Sequence, residues 1–219
     1  MPRAGTGRRS PLRRERVVVA AVQIADEHGV TGVTMRAVAA RLGVEAMSLY
    51  HHVSGRDDVL DGMIDTVLAE VDLPASGEPW REAMRARATS TRAALSRHPW
   101  AVGLLDSRST PGPATLRHHD AVLGILREAR FSVRGAVRAF SIVDSYLYGY
   151  VLQELNLPFS DAEQMDDVAR GLLHDQVADT YPHLAEVVSS QTFMSAWDAD
   201  TEFEAGLTLV LDALEPDGS

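Results

Sequence analysis

Residues 34–53 read Thr34-Met35-Arg36-Ala37-Val38-Ala39-Ala40-Arg41-Leu42-Gly43-Val44-Glu45-Ala46-Met47-Ser48-Leu49-Tyr50-His51-His52-Val53, and this stretch decides the fold. Two short helices can pack at a steep angle only where the contact residue is small and the turn between them admits a left-handed conformation. Ala39 supplies the first requirement and Gly43 the second. Thr34 has the chemistry of an N-cap for the leading helix. Val38, Leu42, Val44, Leu49 and Val53 recur at spacings that make a small core, so Ala46, Met47, Ser48, Tyr50, His51 and His52 are expected to project outward from a short helix over residues 45–51. Such a helix suits the major groove of DNA. Ala46 and Met47 can meet thymine methyl groups, while Ser48, Tyr50, His51 and His52 reach phosphates or base edges. Arg36 can bond guanine, and Thr34 and Arg56 are placed for phosphate beside helix N-termini.

Working upstream, Ser10-Pro11 reads as an N-cap and first-turn pair, and Val17, Ala20, Ala21, Ile24 and Ala25 then recur at helical spacing up to Gly29. A helix over residues 10–28 is expected, with a Gly29–Gly32 turn after it. Downstream, Ser54-Gly55 breaks the chain. A long helix over residues 56–71 follows, with Val59, Leu60, Met63, Ile64, Val67 and Leu68 as its apolar stripe. Leu73 to Pro79 reads as a linker. Beyond it, helices are expected over residues 79–97, 99–106, 114–129, 132–155, 161–179, 183–190 and 200–215, punctuated by Pro99, the 109–113 break, Ser132, Asp161 and Pro182. No segment alternates long enough to argue a sheet, and the class is all-α.

The net charge of -10 becomes intelligible when divided along the chain. Residues 1–60 hold nine arginines against six carboxylates, a balance of +3, which leaves -13 for the remainder. A basic head on an acidic body suits a chain of which one part meets phosphate and the other does not. With no cysteine, disulfides, iron–sulfur clusters, cysteine-type zinc fingers and thiol nucleophiles are excluded. No apolar run approaches the roughly 20 residues that span a bilayer, and no signal peptide is evident at the N-terminus, so a cytoplasmic location is expected.

The chain resembles the tetracycline-repressor family of transcriptional regulators. The residues that carry the likeness are Gly29 to Arg36, Ala39, Arg41-Leu42-Gly43-Val44, Ser48-Leu49-Tyr50-His51-His52-Val53, Gly55-Arg56 and Leu60. It continues more weakly through Pro79-Trp80, Arg130-Phe131-Ser132, Gly149 to Leu152 and Phe203 to Leu207, toward the branch of the tetracycline repressor itself. The resemblance implies a three-helix helix-turn-helix head on a larger helical ligand-binding and dimerisation domain. The implied division is a flexible basic arm at 1–9, the DNA-binding head at 10–55, a connecting helix at 56–72 and the regulatory domain at 73–219. It implies that Tyr50, His52 and Arg56 touch the DNA backbone, with Arg36, Ala46, Met47 and His51 nearest the bases. It further implies a repressor that binds a palindromic, double-stranded operator as a homodimer and leaves it when a small-molecule effector binds.

Members of the family dimerise through two C-terminal helices from each subunit. Here Phe140, Val143, Leu147 and Val151, and Phe203, Leu207, Val210, Leu211 and Leu214, form stripes that serve either such an interface or packing within one chain. Polar groups embedded in apolar helices are the sequence-level sign of a pocket, since burial without a partner costs about 1–3 kcal/mol. Asp144 among Ile142, Val143, Tyr146, Leu147 and Tyr148 is the sharpest case, and an ion pair with an arginine is the equal alternative. Trp100, Leu104, Arg108, His119, Val122, Phe140 and Tyr148 complete the candidate ligand-binding set, with His118 and Trp80 as further candidates. Placed in register with the tetracycline repressor, the drug- and magnesium-binding positions fall on Arg87, Thr91, Leu104, Ser107 and Val122. Leu104 stands in place of the metal-binding histidine and Val122 in place of an amide. A larger, more apolar effector is therefore expected, without a metal or other cofactor. The competing readings are a helical small-molecule-binding protein or an enzyme with no operator function, using Asp144 and a nearby histidine as acid and base. No Gly-rich phosphate loop, Gly-x-Ser-x-Gly or His-Glu-x-x-His motif supports catalysis.

Overall fold

The computed structural model describes residues 11–75, 77–107, 110–158, 164, 180–190 and 198–218. Among them are nine α-helices and no strand. In chain order they are α1 (Arg14–His28), α2 (Met35–Leu42), α3 (Ala46–Leu49), α4 (Arg56–Leu68), α5 (Trp80–Arg97), α6 (Pro113–Glu128), α7 (Val133–Glu154), α8 (Pro182–Ser189) and α9 (Ala199–Asp212). The helix expected over 161–179 falls, apart from Gln164, outside the described residues, as does the arm at 1–9.

The chain forms two compact units that do not follow chain order: Met1–Leu73 with Ala93–Ala121, and Pro74–Arg92 with Val122–Ser219. In the first, α1 packs on α2 and α4 around Val17, Ala21, Ile24, Val38, Ala39, Leu49, Val53, Val59 and Met63, all buried. Thr34 caps α2 as its position implies, its hydroxyl oxygen accepting from the Ala37 amide at 3.1 Å. Gly43 closes α2 in the left-handed region at φ 66°, donating to the Ala39 and Ala40 carbonyls, which is the turn a β-carbon would strain.

The elements differ from expectation at several places in this unit; α4, for one, ends at Leu68 rather than at residue 71. The first helix begins at Arg14, with Arg13, extended at φ -145° and ψ 161°, as a cap that makes no side-chain bond; the Pro11 carbonyl is taken by the Arg16 guanidinium, and the expected cap Ser10 lies outside the described residues. The third helix is only one turn long; Tyr50 to His52 form a turn in which the His52 and Val53 amides both return to the Leu49 carbonyl. The helix expected over 99–106 is instead a pair of 3-10 turns at Pro99–Ala101 and Leu105–Ser107, with Trp100 and Leu104 resting on the core of the head.

In the second unit, α7 packs against α9. Val143, Leu147 and Val151 meet Phe203, Leu207 and Leu211, and all six are fully buried. Tyr146 stacks on Phe203 with ring centroids 5.7 Å apart, and the Tyr146 and Tyr150 hydroxyls donate to the Phe203 and Ala199 carbonyls. Of the stripes considered for dimerisation, Val143, Leu147, Val151, Phe203, Leu207, Leu211 and Leu214 are buried within one chain, while Phe140 and Val210 are half-buried. The Arg130–Ser132 corner is built as a helix stop and restart: Arg130 takes φ 67°, the Phe131 ring packs edge-on to Trp80 at 5.0 Å, and Ser132 caps α7 by accepting from the Gly135 amide.

Candidate nucleic-acid interface and effector-sensing residues

The surface around α3 follows from how little of that helix is consumed by packing. Leu49 alone among its four residues is fully buried. Met47 is 74% exposed and Tyr50 49%, and His51 and His52 also face outward, while Ala46 and Ser48 are half-buried at the flank. Arg36, on the first turn of α2, is exposed and makes no bond with other described residues. Thr34 is exposed too; its oxygen caps α2, which leaves the hydroxyl proton available to a phosphate oxygen. The structure therefore brings Thr34, Arg36, Ala46, Met47, Ser48, Tyr50, His51 and His52 onto one short stretch of the head.

Arg56 does something else as well. Its Nε donates to the Val33 carbonyl at 2.9 Å and Nη2 to the Val30 carbonyl at 3.2 Å, so the guanidinium braces the turn between α1 and α2 from the start of α4. Two further ion pairs fix the same scaffold. Arg41 on α2 is bidentate to Glu27 on α1, and the Arg41 hydrogen bond lowers the Glu27 pKa. Arg14 on α1 reaches Asp58 on α4 at 2.7 Å. Burial works to raise the Asp58 pKa, but the Ser54 amide and the Arg14 guanidinium together hold it below the ordinary carboxylate range. These arginines serve the frame, which leaves Arg36 as the cation presented by the helix-turn-helix itself.

A polar cluster that residue types alone did not single out joins α1 and the end of α4 to His98 in this unit. His98 directs Nδ1 to Asp26 of α1 at 2.7 Å and Nε2 to Glu70, just beyond α4, at 3.1 Å. Trp100 donates its indole N–H to the same Asp26 oxygen at 2.7 Å, and Arg97 donates to Glu70. Trp100 was expected to face a ligand; here its polar edge is given to the head.

The remaining ligand candidates are divided. Leu104 and His119 belong to the first unit, where His119 is exposed and the adjacent His118 is the buried member of the pair. Arg108 lies outside the described residues. Val122, Phe140, Asp144 and Tyr148 belong to the second unit. There Asp144 Oδ1 lies 2.6 Å from Arg87 Nη2, an interhelical ion pair between α7 and α5, with Arg87 1% and Asp144 15% exposed. The Arg87 guanidinium lies 5.0 Å from the Phe140 ring centroid, and the Tyr148 hydroxyl donates to Asp144 Oδ2 at 3.4 Å. Arg87, Asp144, Phe140 and Tyr148 thus form one charged, aromatic-walled cluster, and Val122 is buried in the same unit. Among the described residues no group of side chains could hold a metal ion, and no helix is long and apolar enough to cross a membrane.

Both the head and the body of the chain match known protein families. Residues 17–63 match the family described as bacterial regulatory proteins, tetR family, and residues 73–217 match the tetracyclin repressor-like C-terminal domain. The HTH-type transcriptional repressor DrrR1 of Streptomyces coeruleorubidus is 35% identical, over 97% of this chain and 81% of that protein. The class A tetracycline repressor from transposon 1721 of Escherichia coli is 32% identical, over 93% of this chain and 90% of that protein. Among solved structures, the TetR family protein ActR of Streptomyces coelicolor in complex with actinorhodin superposes with a TM-score of 0.79 at 26% identity, covering 94% of this chain and 96% of that one.

Proposed function

This chain belongs to the TetR family of bacterial regulatory proteins, and from that premise we propose that it represses transcription from a palindromic operator and is released by a small, largely apolar effector. It is a helix-turn-helix, DNA-binding, ligand-responsive regulator and not an enzyme. The observation that carries the DNA reading is the one-turn α3 with Met47 and Tyr50 outward and Arg36 uncommitted beside it. In this reading Arg36, Ala46, Met47 and His51 read base edges, and Thr34, Ser48, Tyr50 and His52 hold phosphates. Arg56 keeps the α1–α2 turn in place and offers phosphate whatever its two carbonyl bonds leave.

Two heads must address two half-sites, so the regulator acts as a homodimer. With the inner faces of α7 and α9 occupied, the pairing surface is their outer faces. Ile142 and Leu152 on α7 and Leu209 on α9 are exposed apolar side chains there, Leu209 at 74%. For the effector, the Arg87–Asp144 cluster is the polar anchor within an apolar surround, and Leu104 and Val122 argue against the metal-chelating chemistry of the tetracycline repressor. ActR, solved with actinorhodin and with (S)-DNPA, supports a small-molecule effector in this fold. The domain boundaries at 9, 55 and 72, and a cytoplasmic site of action, belong to the same proposal.

Selection of bound duplexes from a random-sequence pool by the purified protein tests it. A two-fold symmetric site is expected, bound by the unsubstituted protein and bound more weakly with Tyr50→Ala and with Arg36→Ala. Recovery of no preferred sequence, or equal retention by both variants, refutes the reading.

A further inference from the structure

We propose that Asp65 is a positioning residue that couples α6 to the DNA-reading head by capping α6 from α4; the proposal rests on the repressor reading above. A helix leaves its first amides without intrahelical partners, and a side-chain oxygen at the preceding residue ordinarily accepts from one of them. In α6 that preceding residue is Gly112, which has no side chain to offer. The acceptor comes instead from another helix. Asp65 Oδ1 receives the Thr115 amide, third residue of α6, at 2.8 Å and the Thr115 hydroxyl at 3.1 Å. A carboxylate there also complements the positive end of the helix dipole.

Gly112 is itself shaped by this arrangement. A β-carbon on it would collide with the Asp65 carboxylate, which occupies the space a side chain would take. Glycine and aspartate are two parts of one seat, contributed by segments 47 residues apart in sequence.

The placement gives the seat a consequence. α4 starts at Arg56, whose guanidinium holds the α1–α2 turn, and Val59, Leu60 and Met63 of α4 share one core with Leu49 and Val53 beside α3. A displacement of α4 therefore displaces the reading surface. α6 is one continuous helix whose start belongs to the head unit and whose residues from Val122 onward belong to the unit of Arg87 and Asp144. Strain applied to α6 among those residues is delivered at its N-terminus, where Asp65 is the polar bond that passes it to α4. The Glu70–His98–Asp26 cluster ties α4 and α1 to the end of α5 and is a separate tether, since none of its bonds involves α6.

The test uses the absence of native cysteine. Glu45→Cys in the head and Arg117→Cys on α6, both exposed positions, carry a nitroxide pair, and the distance distribution is measured by pulsed dipolar spectroscopy with the labelled chain diluted into unlabelled protein. Asp65→Ala removes the acceptor, Gly112→Ala expels it from the opposite side, and Asp65→Asn keeps an oxygen in place. Asp65→Ala and Gly112→Ala are expected to broaden or shift the distribution and to weaken binding to the selected operator about five-fold, with Asp65→Asn restoring both. If Asp65→Ala does not fold, Gly112→Ala against Asp65→Asn decides the matter. A lowered melting temperature with an unchanged distribution, or an altered distribution with unchanged operator affinity, overturns the coupling while leaving the repressor reading intact. Failure of the unsubstituted protein to select any DNA overturns both.

Discussion

Arg87 and Asp144 face each other at 2.6 Å across α5 and α7, with the arginine almost wholly removed from water. Removing one partner from a buried pair strands the other charge, at a cost of about 3–5 kcal/mol, whereas replacing both by apolar groups of similar volume is often close to neutral. Asp144→Leu is therefore expected to lower unfolding free energy by about 3 kcal/mol, and Arg87→Met with Asp144→Leu to recover most of it. Denaturant titration of the two single variants and the double variant checks this. If the pair anchors the effector, the double variant is a stable protein whose operator binding no longer responds to inducer.

The two arginines nearest the reading surface are expected to behave differently. Arg36→Ala costs about 1–3 kcal/mol of operator binding and relaxes preference at one base pair, with the melting temperature unchanged. Arg56→Ala removes the bonds to Val30 and Val33 and lowers melting temperature and operator affinity together. Thermal denaturation alongside titration on matched and mismatched duplexes separates them.

The outer faces of α7 and α9 lead to a test by position. Leu209→Arg and Leu152→Arg are expected to yield folded monomers in analytical ultracentrifugation, with operator affinity reduced at least about ten-fold because the second half-site is no longer tethered. Substituting Leu207, on the buried face of α9, should instead unfold the protein. Dimers retained in both outer-face variants would move the interface elsewhere.

Tyr150 supplies a pH dependence at the alkaline end. Burial raises its pKa to about 12, and its hydroxyl donates to the Ala199 carbonyl at 2.7 Å. The neutral phenol is the form the fold favours, so this contribution is complete below the unfolded pKa near about 10 and is lost as pH rises toward 12. Stability from urea titration should fall between pH 10 and 12 in the native protein and fall less in Tyr150→Phe.

The head was legible because its determinants are local. Thr34 caps the helix that follows it and Gly43 supplies the left-handed turn, and each acts on neighbours within four residues. What periodicity could not supply was the partner of each face. Val143, Leu147 and Val151 have the same spacing whether they meet Phe203 and Leu207 of their own chain or a second copy, and the decision appears only in their burial, with Leu152 and Leu209 left exposed on the opposite faces of the two helices. Asp144 stood out as a charge in an apolar helix, with an arginine partner held as one of two readings; that the partner is Arg87 depends on packing. His98 and Asp65 gave no sign, since their partners lie 28 to 72 residues away and belong to no motif.

The brevity of α3 has an evolutionary consequence. Its only buried anchor is Leu49, and the frame that orients it consists of residues outside it: Val38, Val53, Arg56 and the Arg41–Glu27 pair. Exchanges at Met47, Ser48 and His51 can therefore rewrite sequence preference at nearly constant stability. New binding sites become reachable by single steps that never pass through an unfolded intermediate, and one scaffold can give rise to a lineage of regulators with different addresses.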